Sequence, residues 1–153
     1  EVTQTTLREV FYQLGIQGVD VGGILLKPNM VLSGKSAKSR AGSAEVGKWT
    51  VDCLKSVLPS ALPGVVFLSG GQSDEEATVN LNAINQEAAN AGAPWQLSFS
   101  FGRGLQAAPL KAWSGLVANT ERAQSVFLHR ALLTSAARQG TYSQEMEQET
   151  AAV

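Results

Sequence analysis

The chain has 153 residues, a formal net charge of −1 and 44% hydrophobic residues. That is enough for one packed domain, and the near-neutral charge offers no general attraction to nucleic acid or to an anionic membrane. A single cysteine excludes an internal disulfide framework, and no apolar run approaches the length of a membrane span.

A reducing, cytosolic setting is the default for such a composition. Glu1-Val2-Thr3-Gln4 reads as neither a signal nor a transit peptide. The chain opens without methionine and inside a helical pattern, as a fragment would. Leu7, Val10, Phe11 and Leu14 recur at helical spacing, and that first helix ends near Gly15. Glycine-punctuated residues run to Gly22. Gly23-Ile24-Leu25-Leu26-Lys27 then reads as a strand, because consecutive apolar residues suit a strand covered on both faces. Pro28 has no N–H and should stop the ladder. Lys27 is thereby predicted at the carboxyl end of a buried strand, where ligands bind in parallel α/β sheets. A lysine in such a place loses its charge more readily, and the neutral amine attacks carbonyls. The competing reading is a lysine that snorkels to water.

Lys35, Lys38 and Arg40 lie in a polar loop that reads as solvated rather than as a phosphate contact. Ser43 is the expected N-cap of a helix running to about Leu58, with Val46, Thr50, Cys53, Leu54 and Val57 on its inner face. Cys53 is then a packed thiol. Gly64-Val65-Val66-Phe67-Leu68 is the second strand, ending in Ser69-Gly70-Gly71. Ser73 and Glu76 have capping-box spacing, and a helix follows to about Asn90. Asp74, Glu75 and Glu76 fill its first turn and read as dipole partners rather than catalytic carboxylates.

Trp95–Phe101 is the third strand, with Leu97, Phe99 and Phe101 on one face and Ser98 and Ser100 on the other. It ends in Gly102-Arg103-Gly104. A short helix is expected around Leu110–Trp113 and a longer one from about Thr120 to Ala137, with Ala123, Val126, Phe127 and Leu133 inside. His129 is the only histidine and has no metal partner. From Tyr142 the chain turns polar and reads as a flexible tail.

Strand and helix alternate three times, which argues for a parallel sheet. Its three carboxyl ends are Lys27, Ser69-Gly70-Gly71 and Ser100-Phe101-Gly102-Arg103. Glycine amides, a helix beginning after Gly71 and the arginine fork can together hold an oxyanion. The alternative is that the glycines only make tight turns and Arg103 pairs with a carboxylate.

Three segments, GILLKPNMV (Gly23 to Val31), VFLSGGQSDEEAT with VNLNAIN (Val66 to Asn85) and PWQLSFSFGRGLQ (Pro94 to Gln106), resemble the carboxyl-terminal half of class I fructose-bisphosphate aldolases. The resemblance implies the last three β/α units of a TIM (β/α)8 barrel over residues 1–140, followed by the tail at 141–153. It implies a Schiff-base lysine at Lys27. Ser69, Gly70, Gly71, Ser100, Gly102 and Arg103 would hold the ketose's carbon-one phosphate. It further implies cleavage of fructose 1,6-bisphosphate to triose phosphates without metal or cofactor, in a cytoplasmic homo-oligomer that is a tetramer across much of the family.

The family's acid/base carboxylate and its other active-site lysines lie on strands not present in this chain. Such barrels need about 250 residues. The expectation is therefore a fragment, or half of a pair of complementary chains. Gly22 replaces the family's usual glutamate. Past Tyr142 the chain runs to Ala151-Ala152-Val153, an ending more like that of bacterial relatives. A second reading is a non-catalytic, aldolase-derived module that binds sugar phosphates without turnover.

Overall fold

The computed structural model describes residues 1–148. Three short strands, β1 (Leu25–Leu26), β2 (Gly64–Phe67) and β3 (Gln96–Phe99), form one parallel sheet in the order β1-β2-β3. Strands that pair in chain order make a sheet that winds one way, as in a barrel; a doubly wound sheet reverses direction at a switch point. Leu26, Val65 and Leu97 lie level with one another. Alternation of side chains puts these three, with Phe67, on the helix-covered face. Val65 and Phe67 are fully buried there. The opposite face carries Leu25, Lys27, Val66, Leu68, Ser98 and Ser100, and none of these is buried. Leu25 is 62% exposed. The sheet is thus covered on one side, the geometry of an arc cut from a barrel.

Helices α1 (Val2–Ile16), α2 (Ser43–Val57), α3 (Asp74–Asn90), α4 (Arg103–Trp113) and α5 (Thr120–Arg138) complete the fold. The core joins Met30, Val46, Val51, Leu54, Leu62, Leu81 and Ile84 to the helix-covered face of β2. Helices α2 and α3 approach so closely that a Cβ on Gly47 would stand 2.9 Å from the Ala83 carbonyl. Only glycine fits that crossing. Ser73 caps α3, its hydroxyl accepting from Glu76 N at 3.0 Å.

Several elements differ from the sequence reading. The first strand keeps only Leu25 and Leu26 in the ladder, because Asp20 accepts from Gly22 N and holds Val21–Gly23 in a 3-10 turn. Helix α2 starts one residue earlier than a Ser43 cap requires. Gly42 is its N-cap, and Gly42 N donates to Glu45 Oε2. Val51 is buried on α2, whereas Cys53 and Val57 are half-buried. Helix α4 begins at Arg103 and runs through Pro109, well before the expected Leu110. On α5 the buried residues are Arg130, Leu133, Thr134 and Ala137, while Phe127 is 47% exposed. The tail expected at 141–153 is packed over its first part. Tyr142 is buried, and Gln144–Glu147 forms a 3-10 turn. Residues 149–153 lie outside the described residues.

Candidate functional site

The carboxyl ends of the three strands are tied together by backbone bonds that continue the ladder. Leu68 N donates to Pro28 O at 3.1 Å, and Ser100 N donates to Phe67 O at 2.8 Å. Register places Lys27 level with Val66 and Ser98, one residue beyond the last β1 pair. Its side chain is exposed on the uncovered face. Pro28 is buried behind it and fixes the chain's exit from the strand.

The loop after β2 turns through Gly70 and Gly71, both left-handed with φ of 62° and 83°. This is a conformation that glycine adopts without steric cost. Ser69 is buried. Gly104, in the first turn of α4, backs onto it: a Cβ there would lie 3.3 Å from Ser69 Cβ. The Arg103 guanidinium reaches the same loop, with Nη2 3.9 Å from the position a Gly71 Cβ would take. The Ser69–Gly71 loop and the Gly102–Gly104 corner therefore make one continuous surface.

The two helices that follow these loops differ in charge. The first turn of α3 holds Asp74, Glu75 and Glu76, which offset its positive end. The first turn of α4 contains no acidic residue. Its free N–H groups and Arg103 give an uncompensated positive corner that can hold an anion. Among the described residues no carboxylate pairs with Arg103 or Lys27; the ion pairs are Arg40–Glu76, Lys48–Asp52 and Arg130–Glu147.

Residues behind this surface had no signal of their own in the sequence. Gln72 is buried and bonded to Ser69 O, Met30 Sδ and Asn80 Nδ2. Met30 is fully buried, and Val31 N donates to Thr50 Oγ1 on α2. Gln72 and Asn80 look in sequence like ordinary polar residues near a helix start.

Other candidates stand apart from this corner. Lys35, Lys38 and Arg40 are exposed, and Arg40 pairs with Glu76. Cys53 is half-buried, and burial pushes its thiol pKa up, away from the reactive thiolate. Among the described residues no cluster of His, Cys, Asp and Glu has the makings of a metal site. No described helix is long and apolar enough to cross a membrane.

Sequential parallel strands, an uncovered inner face and polar carboxyl ends define a segment of a ligand-binding β/α barrel. The model of class-I fructose-bisphosphate aldolase matches residues 1–153, and the chain belongs to that family. It is 48% identical to fructose-bisphosphate aldolase 1 of Caenorhabditis elegans, over 99% of this chain and 41% of the relative. The fructose-bisphosphate aldolase of Dictyostelium discoideum is also 48% identical, over 95% of this chain and 40% of its own length. The solved fructose-bisphosphate aldolase from Plasmodium falciparum, in complex with TRAP and a small molecule inhibitor, superposes with a TM-score of 0.88 at 49% identity. It covers 93% of this chain and 40% of that one. The chain thus spans about two fifths of the length of these relatives.

Proposed function

We propose that the protein containing this chain cleaves fructose 1,6-bisphosphate reversibly to dihydroxyacetone phosphate and glyceraldehyde 3-phosphate, and that Lys27 is its Schiff-base residue. One observation carries the reading: Lys27, with no carboxylate partner among the described residues, ends β1 at the same sheet edge as the Ser69–Gly71 loop after β2 and the Arg103 corner after β3. Ser69, Gly70, Gly71, Ser100, Gly102 and Arg103 hold the carbon-one phosphate, and so fix the ketone near the amine. The neutral amine of Lys27 attacks carbon two. Loss of water gives a protonated imine. That imine takes up the electron pair released when the bond between carbons three and four breaks, and an enamine remains. Proton transfer to and from the fourth-carbon oxygen falls to carboxylates on the earlier strands of the barrel. Protonation of the enamine and hydrolysis then release dihydroxyacetone phosphate and restore Lys27.

A cytoplasmic address accompanies this reading, since relatives 48% identical include a cytoplasmic isozyme of Pisum sativum. Chloroplastic forms at 45% identity allow a second address. The imine serves as the electron sink, so no metal is required. The cleavage rate of the full-length protein is expected to be unchanged by EDTA, and to be lost when borohydride is added in the presence of dihydroxyacetone phosphate. Inactivation by EDTA with resistance to borohydride would assign the reaction to a metal-dependent mechanism instead.

A further inference from the structure

We infer that Gln72 is a positioning residue that sets the phosphate cradle and its spacing from Lys27, an inference that rests on the aldolase reading above. The Gln72 side-chain amide donates to Ser69 O at 2.7 Å and to Met30 Sδ at 3.6 Å. Its Oε1 accepts from Asn80 Nδ2 at 2.7 Å. Gln72 N donates to Ser69 O as well, at 3.1 Å. Ser69 O therefore receives two bonds from one residue, and they close the turn across Gly70 and Gly71. Those glycines both sit at positive φ, so the direction of their amides depends on how this turn is held.

The same amide touches Met30, three residues beyond Lys27, and Asn80 anchors the assembly to α3. Met30 is fully buried, and Thr50 on α2 tethers the residue after it. Gln72 is thus the side chain that bonds both to the loop following the lysine and to the loop that holds the anion. The amide's own net contribution to stability is modest, though an apolar side chain of the same volume in its place leaves Asn80 Nδ2 without its acceptor. Its consequence lies in geometry: imine formation needs the phosphate and the ketone held at one fixed separation.

The test uses the full-length protein with Gln72→Met, which keeps length and bulk and removes both bonding functions. Borohydride trapping is titrated with dihydroxyacetone phosphate and, separately, with dihydroxyacetone. The half-saturating concentration for the phosphorylated ketone is expected to rise tenfold or more, while that for dihydroxyacetone changes less than twofold. Equal shifts for the two ketones, or no shift for either, would overturn the inference. If Gln72→Met fails to fold, Asn80→Ala decides it by the same comparison, with a threefold or greater selective rise expected; an unselective change overturns it. A parent protein that traps neither ketone at Lys27 would instead remove the aldolase reading itself.

Discussion

Arg103 shows how a single side chain acquires a task from its surroundings. Its guanidinium lies against Gly71, and no carboxylate among the described residues competes for it. A hydrogen bond to a charged group is worth about 1.5–3 kcal/mol, equivalent to roughly ten- to a hundredfold in affinity. Arg103→Ala is expected to raise KM for fructose 1,6-bisphosphate by about that factor. Binding of an unphosphorylated ketose should be unchanged. Arg103→Lys returns the charge but not the planar fork, so it should recover only part of the loss. A fall of equal size for both ketoses would argue against a phosphate contact. The positions of Lys27, Ser69, Gly70, Gly71, Ser100, Gly102 and Arg103 at the ends of the three strands were legible in the sequence, because each interrupts or ends an apolar run; the roles proposed for them come from the family resemblance. Gln72, Asn80 and Met30 were not. Their part depends on contacts between residues far apart in the chain, and pattern in a single sequence does not carry such pairs.

At the scale of elements, the long runs were readable and the ends were not. Ser73 and the acidic turn after it marked the start of α3 correctly. A short helix was expected around Leu110–Trp113, yet α4 begins at Arg103 and passes through Pro109. A proline removes one N–H without preventing the turns on either side when packing holds them. The stretch from Thr141 to Gln148 read as free because it is polar, but Tyr142 and Glu147 within it are paired inward. Arg130 on α5 is buried and bonded to Glu147 and to Thr78, and Tyr142 OH donates to Glu147 at 2.9 Å. Glu147→Ala leaves a buried guanidinium uncompensated and is expected to cost about 3–5 kcal/mol in urea unfolding. Replacing both partners, with Arg130→Met and Glu147→Gln, should cost much less; an equal cost for both variants would mean that the pair is not coupled.

The same turn gives a pH signature. Burial first, then the bond to Glu147 and its charge, push the Tyr142 phenol above its ordinary value. The folded state therefore holds this proton more tightly than the unfolded chain does. The stabilisation is complete below about pH 10 and declines as pH rises through the folded value, at up to about 1.4 kcal/mol per unit. Unfolding free energies measured at increasing alkalinity should fall more steeply for the parent than for Tyr142→Phe. Identical slopes would remove Tyr142 as the source.

At the scale of the whole molecule, the consecutive apolar residues of the strands read as coverage on both faces. Helices cover one face here, and Leu25, Val66 and Leu68 are left on the other. Both facts agree if the second face is the interior of a closed barrel. The chain spans about two fifths of its relatives' length. The central claim concerns Lys27 within that complete barrel. Its most direct test is reduction of the full-length protein with borohydride in the presence of dihydroxyacetone phosphate, followed by intact mass and peptide mapping. The account predicts one adduct per chain, on the peptide containing Lys27, and none in Lys27→Arg. An adduct at a different lysine, or one that persists in Lys27→Arg, would contradict it.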